Sequence, residues 1–492
     1  GPYMGPVPMI THVHGAHTFE QFDGYPEAWY LPNAKNIPMG YARIGTFFDH
    51  FNQKYALEWD MNSGSVMFQY PNDQRAATLW YHDHTLGMTR LNVYAGPAGF
   101  YLIRGGPDDL DLGYVAPGVG DSPFGSYTEI PLAIQDRSFN MDGSLYYPET
   151  RTFFDGFTGP YIPGSPVPPI WNPEFFGNMM VVNGQTWPYL NVEPRRYRFR
   201  FLNGSNSRFL VMHLATDADL SSAGIDDGNW MEKTNEFWQI GSEGGFLDAP
   251  KSIDMLLMAP AERADVIIDF SAYAGETVYL INVGPDAPFG GLPVDPTELS
   301  DPASTGQVMK FIVGSGTVID NTTPPSLLSL PAIAPLPAAS VTRSVSLNEE
   351  MYEPADVPAA ALLGTYDPVN DINTSLLWND PITENPALNT VEEWAIYNFT
   401  EDAHPIHIHL IMFQVIGRGV NGTTPPEAWE TGWKDTVIAY PGEITRIKAR
   451  FDLEGLYVWH CHIVEHEDNE MMRPYGIGNY TMPAGVALRR LK

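Results

Sequence analysis

The sequence predicts an all-β protein built from three antiparallel sandwich or barrel domains in series. The chain has 492 residues, and at about 150 residues per domain that length suits roughly three domains. Gly and Pro number 45 and 44, far above their usual combined share of about 12%, so turns are frequent and long helices are not expected. Short runs rich in Val, Ile, Tyr and Phe recur between Gly, Pro, Asn and Asp, with no long amphipathic helical pattern and none of the strand–helix alternation of a doubly wound sheet.

The first domain is expected over 1–110, closing in the apolar run Ala98–Ile103 and Gly105-Gly106. A Pro/Gly/Asp-rich stretch, Pro107–Ser126, separates it from the second, over 127–314. Strands are expected there at Glu129–Gln135, Met179–Asn183, Tyr197–Leu202, Phe209–Leu214 and Ala264–Phe270, because β-branched and aromatic residues favour a pleated, half-buried surface. A low-charge, proline-rich linker over 315–342 should be extended. The third domain, over 343–492, should carry strands at Trp394–Phe399, Phe413–Ile416, Thr445–Phe451 and Leu456–His460.

Composition excludes several classes of function. With 43% hydrophobic residues the chain can bury sizeable cores. A net charge of −32 repels phosphate, so no nucleic-acid partner is expected. No apolar run reaches the roughly 18 residues needed to span a bilayer, and Pro331, Pro335 and Pro337 interrupt the longest one, so no membrane partner is expected. Cys461 is the only cysteine, which forbids an intrachain disulfide and leaves the redox compartment unread from crosslinks. Asn-x-Ser/Thr triplets such as those at Asn203 and Asn398 matter only in a eukaryotic secretory route.

The chemistry is concentrated in the histidines. Ten of the 13 lie in four short clusters. They are His12-Val13-His14-Gly15, Trp80-Tyr81-His82-Asp83-His84, His404-Pro405-Ile406-His407-Ile408-His409 and His460-Cys461-His462-Ile463-Val464-Glu465-His466. On a strand, residues i and i+2 share a face, so the pairs 12/14, 82/84, 407/409 and 460/462 each present two imidazoles to one side. Eight neutral nitrogen donors with no carboxylate cluster beside them in sequence suit copper rather than magnesium or calcium. Structural zinc sites close with four ligands, so paired histidines in this number indicate a polynuclear centre. Between His460 and His462, Cys461 must face the other way. Cys461, His466 and Met471, with His404, supply thiolate, two imidazoles and a weak thioether, the ligand set of a blue-copper electron-transfer site. One short strand would thus touch both centres.

These four motifs resemble, in order and complete, the signatures of the multicopper oxidase family. Further text is similar to its group of bacterial spore-coat laccases, bilirubin oxidases and phenoxazinone synthases: Asp23-Gly24-Tyr25-Pro26-Glu27-Ala28-Trp29, Trp378-Asn379-Asp380-Pro381-Ile382-Thr383-Glu384, and Glu465-His466-Glu467-Asp468 followed by Met471-Met472-Arg473-Pro474. The resemblance covers nearly the whole chain. It implies three cupredoxin-like Greek-key barrels and four copper ions. The type 1 copper would be held by His404, Cys461, His466 and axial Met471, with Met472 less suited. The type 2 copper would take His12 and His407. The type 3 pair would take His14, His82, His84, His409, His460 and His462. Asp23 and Glu467 match positions tied to proton delivery in dioxygen reduction, and a hydrogen bond from Glu467 to a ligand histidine is the alternative. The middle domain, with only His213, should bind no copper. His17, His50 and His213 are left for structural or surface roles.

The implied activity is laccase-like: one-electron oxidation of phenols or aminophenols coupled to four-electron reduction of dioxygen to water. Catalysis would rest on Cys461, Glu467 and Asp23, and the partners would be a small-molecule reductant and O2. Oxidation of bilirubin or o-aminophenol, and of cuprous or manganous ions, are the alternatives. Asp402 and Glu401, near His404, could bind amines or be surface acids. An exported or spore-associated location is expected rather than the cytoplasm. One departure stands out: only eleven residues precede His12, where the family has several strands. The first barrel is therefore expected to be N-terminally incomplete, with Gly1-Pro2 as a cleavage scar or natural sequence, and a separate N-terminal fragment docking to complete it.

Overall fold

The computed structural model of the chain describes residues 6–32, 37, 40–60, 65–110, 129–222 and 236–483. Residues 111–126 of the first linker, and Gly1-Pro2, lie outside these. The architecture is mostly β, as expected, and among the described residues the longest helix is the eight-residue Phe48–Tyr55.

Among the described residues, the first segment forms one antiparallel sheet of three strands, β1 (Thr11–His14), β2 (Ala77–Asp83) and β3 (Gly99–Ile103), in the order β1-β2-β3. The middle and third segments, among the described residues, each form two sheets, of five and eight strands and of six and four strands. In the middle segment, apolar residues of both sheets interleave in one core, Phe199, Phe201 and Val266 meeting Leu210, Leu280 and Phe311. The expected strand at Glu129–Gln135 runs on to Phe139. Its last residues pair with Met179–Met180 and with Leu145–Tyr146, partners that no single-strand pattern reveals. The linker is extended apart from the turn Pro325–Leu327, and its final residues open the strand Val341–Tyr352.

The four-stranded sheet of the third segment positions the site. It consists of β4 (His404–Ile408), β5 (Thr436–Ala439), β6 (Gly455–Cys461) and β7 (Met472–Ile477), in the order β5-β4-β6-β7. Both faces of β6 are buried. Tyr457, Trp459 and Cys461 enter the core of the third segment, whereas Leu456 and Val458 pack with Met472, Tyr25 and Phe51 on the opposite side. The two-residue repeat therefore sends Cys461 one way and His460 the other. The register sets Ile406 against Cys461 and His407 against His460, so His404, Ile406 and Ile408 lie on the Cys461 face, and His407 on the His460 face.

Polar contacts clamp the segments together. His17 Nδ1 donates to Asp73 of the first segment (3.0 Å) and Nε2 to Asp452 of the third (3.2 Å). The bond to Asp452, then that to Asp73, outweighs burial and raises the His17 pKa from 6.5 to about 9. A group whose pKa rises on folding stabilises fully below its unfolded value and loses that effect as pH climbs through its folded value. His17→Gln should therefore lower the melting temperature at pH 6. The deficit should shrink between about pH 6.5 and 9 and be gone above it. A deficit that stays constant from pH 6 to 10 in thermal scans would refute the bridge.

Candidate metal centre

The sheet register gathers ten histidines and the cysteine into two buried sites. β1 and β2 pair with His12 opposite His82 and His14 opposite Trp80. His12 and His14 lie within their strand, but His84, His409 and His462 each sit one residue past a strand end. Three of the four His-x-His pairs thus straddle strand termini, where the chain is about to turn and both rings can still converge.

In the larger site, hydrogen bonds to acceptor oxygens fix the ring tautomers. A carbonyl oxygen can only accept, so the nitrogen facing it carries the proton. Nδ1 donates from His12 to Asp23 O (2.5 Å), from His82 to Asp83 O (2.8 Å), from His407 to Asp435 O (2.8 Å) and from His460 to Cys461 O (3.0 Å). His409 Nδ1 donates to the Asp23 carboxyl (2.8 Å). These rings aim Nε2 lone pairs inward. His14 is reversed: its Nε2 faces Asp435 Oδ1 (3.1 Å) and Thr436 Oγ1 (3.0 Å), which leaves Nδ1 inward.

The inward atoms demand a cation. His84, His409 and His460 bring their Nε2 atoms to 3.1–3.2 Å of one another. Such a triangle leaves a point about 2 Å from all three, the length of a metal–imidazole bond. His14, His82 and His462 form a second buried triad, and His12, His14 and His407 also converge. The inward atoms His12 Nε2, His14 Nδ1, His82 Nε2 and His407 Nε2, and both ring nitrogens of His462, have no hydrogen-bond partner in the protein. Buried polar atoms are rarely left so. Burial pushes the pKa of His12, His14, His84, His409 and His462 well below 6.5, that of His82 to about 4 and that of His407 to about 3. Neutral imidazoles are what a transition metal takes.

The second site lies on the Cys461 face. Cys461 Sγ is 3.6 Å from His404 Nδ1 and 3.8 Å from His466 Nδ1, and the two nitrogens are 3.3 Å apart. A point roughly 2.1 Å from all three suits Cu–N and Cu–S bonding. Met471 shares the Cys461 core cluster, whereas Met472 packs on the opposite side. Thr400 Oγ1 holds His404 Nε2 (2.7 Å). Burial pushes the Cys461 thiol well above its usual pKa, so a bound cation is what would make it a thiolate. The ten histidines and Cys461 that the sequence assigned to copper converge in these two places, and Met471 shares the core cluster of Cys461.

Besides Asp23, Glu467 and Asp402, which the sequence marked, other acids that it missed stand behind the rings. Glu465, Glu467 and Asp468 adjoin His466 in sequence, and acids from distant segments also reach the rings in space. Fully buried Asp435 holds His14, and Glu467 sits 3.2 Å from His460 Nδ1 and 3.6 Å from His84 Nδ1. Asp468, beside it, is pushed by burial to about 7. Glu174, from the middle segment, lies 3.8 Å from His466 Nε2. Burial, then Asp402, pushes its pKa well up, and burial also takes half-buried Asp402 to about 6 and Glu349 to about 7. Glu401 is exposed. Only a signal tying distant segments together could have found Asp435 or Glu174. Of the leftover histidines, His17 bridges two segments and His50 packs against Phe47 and Phe51, while His213 is buried in the middle segment.

Paired imidazole triads back to back with a Cys/His₂ site, joined by one strand, define a copper oxidase. Comparison with known proteins agrees: the family described as Multicopper oxidase matches residues 352–479, and the chain belongs to the multicopper oxidases. It is 39% identical to a laccase of Bacillus stratosphericus, over 96% of this chain and 81% of that protein. It is 36% identical to a laccase of Bacillus subtilis, over 96% and 80%. It also superposes on the McoA multicopper oxidase of Aquifex aeolicus, with TM-score 0.66 and 26% identity, covering 96% of this chain and 85% of that one. The chain is a laccase-like, O2-using oxidoreductase with copper as its cofactor, and the donor set described above fits copper.

Proposed function

We propose that the chain oxidises phenols and aminophenols one electron at a time at the Cys461 face and reduces dioxygen to water at the histidine cluster. The observation that carries this is the placement of Cys461. Its Sγ meets His404 and His466, while its chain neighbours His460 and His462 enter the cluster on the other face. Copper, when bound, supplies one-electron redox chemistry at each site. On this reading His404, Cys461, His466 and Met471 hold the type 1 ion and His12 with His407 the type 2. His14, His82 and His462 hold one type 3 ion, and His84, His409 and His460 the other.

The residues do the rest. Cys461 links the sites through a few covalent bonds, so electrons need not cross open space. Reducing O2 to water consumes four protons in a site closed to bulk water. Asp23, which accepts from His409 Nδ1 and whose pKa burial raises well above the usual range, holds one proton near the cluster. Glu467, against His84 and His460, is the second relay. The carboxyls of Glu174, beside His466, and of its neighbours Asp402 and Glu349 favour a donor bearing an amine.

The same acids support a second reading, oxidation of metal ions such as Cu(I) or Mn(II), since a bound cation would relieve their mutual repulsion. Dioxygen uptake with 2,6-dimethoxyphenol, an o-aminophenol, bilirubin, Cu(I) and Mn(II) as donors separates the two. The proposal expects the phenol and aminophenol to give the highest kcat/KM, with Glu174→Gln changing the aminophenol more than the phenol. Fast turnover of a metal ion alone would replace it by the second reading.

A further inference from the structure

The middle segment reaches the histidine cluster through Arg263. Arg263, which opens the strand Arg263–Asp269, is fully buried and forms a bidentate pair with Asp435: Nη1 donates to Oδ1 (2.9 Å) and Nη2 to Oδ2 (2.5 Å). Two further donors are also fixed, Nε to Thr78 O of β2 (2.8 Å) and Nη1 to Ala261 O (2.9 Å). The guanidinium therefore has one available position. Asp435, so held, accepts from His14 Nε2 through Oδ1 and from the Thr436 hydroxyl (2.9 Å). A planar guanidinium fork constrains a carboxylate in both distance and plane.

Two further observations converge on this pair. His14 presents Nδ1 to the cluster, whereas His12, His82, His407, His409 and His460 keep Nδ1 for a protein acceptor and aim Nε2 inward. The reversal needs an acceptor on the Nε2 side, and Asp435 and Thr436 are the groups there. Gly15, next in chain, has φ +88°, and a Cβ on it would meet Asp435 Oδ2 at 2.5 Å and Arg263 Nη2 at 2.9 Å. The glycine leaves room for the ion pair to lie against the backbone beside His14.

We infer that Arg263 and Asp435 are positioning residues for the oxygen-reducing centre, the pair from the middle and third segments holding His14 of the first in the one orientation that directs Nδ1 at the copper it shares with His82 and His462. This rests on the proposed assignment of His14 as a cluster ligand. All three segments must then dock before the triad is complete.

The test replaces both charges together, Arg263→Met with Asp435→Leu, because removing a whole buried pair is often tolerated whereas removing one partner strands a charge. Copper per chain, the blue absorption and copper retention against a chelator are measured on the copper-loaded enzyme, with thermal unfolding alongside. The double variant should fold and stay blue, but hold cluster copper about 10–100-fold more weakly, the usual effect of losing a partner behind a ligand. Four tightly held coppers in a folded double variant would overturn the inference. A wild-type enzyme that itself lacked cluster copper would instead sink the assignment of the cluster, and this inference with it. Should the double variant not fold, Asp435→Asn and Asp435→Ala decide. Asparagine Oδ1 can still accept from His14 Nε2, so it should retain more cluster copper than alanine at matched stability, and equal loss in the two overturns the inference.

Discussion

Cys461→Ser is expected to abolish the intense blue thiolate-to-copper absorption and turnover together, and to leave the histidine cluster loaded. A serine hydroxyl has neither the charge nor the softness of a thiolate. His404, His466 and Met471 alone make a poor copper site. The cluster residues lie on the other face of the sheet, and His460 keeps its bond to the backbone carbonyl of residue 461 whatever the side chain there. Optical and EPR spectra of the copper-loaded variant read this directly. A variant that remained blue would refute the assignment of Cys461.

Glu467→Gln carries the next largest effect. The carboxyl is fully buried, with Oε2 3.2 Å from His460 Nδ1 and Oε1 3.6 Å from His84 Nδ1. An amide keeps the shape and can still accept a hydrogen bond, but cannot donate and retake a proton. If Glu467 delivers protons, turnover should fall by about 10²–10⁴-fold, the usual contribution of a positioned acid–base group, with copper content and blue colour unchanged. The solvent deuterium isotope effect should rise. If Glu467 only orients the two rings, copper retention should fall instead, and turnover per bound copper should stay near wild type.

The copper ligands were legible because the signal is local. An i, i+2 repeat places two imidazoles on one face wherever the strand is found, and the opposite pointing of Cys461 needs nothing beyond the pleat. The ends of the strands were less legible: Asp136 and Arg137 are strand because of partners 44 and 42 residues away, and Ser138 and Phe139 because of a hairpin partner 8 and 6 residues on. Asp23 and Glu467 were legible only through the family motifs, and Asp435 and Glu174 were not legible at all. Asp435 sits 28 residues beyond His407 with no periodic relation to it, and Arg263 and Glu174 come from a segment whose sequence carries no copper motif. Their roles arise from docking of segments, which one sequence does not encode in any local pattern. The reversed ring of His14 belongs with them, since a tautomer follows from the acceptor that the fold supplies.

Both centres on one sheet are the core of this account, and copper stoichiometry tests it most directly. Elemental analysis of the fully reconstituted enzyme should give four equivalents per chain, one of them blue, and Cys461→Ser should retain three. A turnover-competent enzyme holding a single copper, or a serine variant that loses the cluster copper along with the blue one, would contradict it.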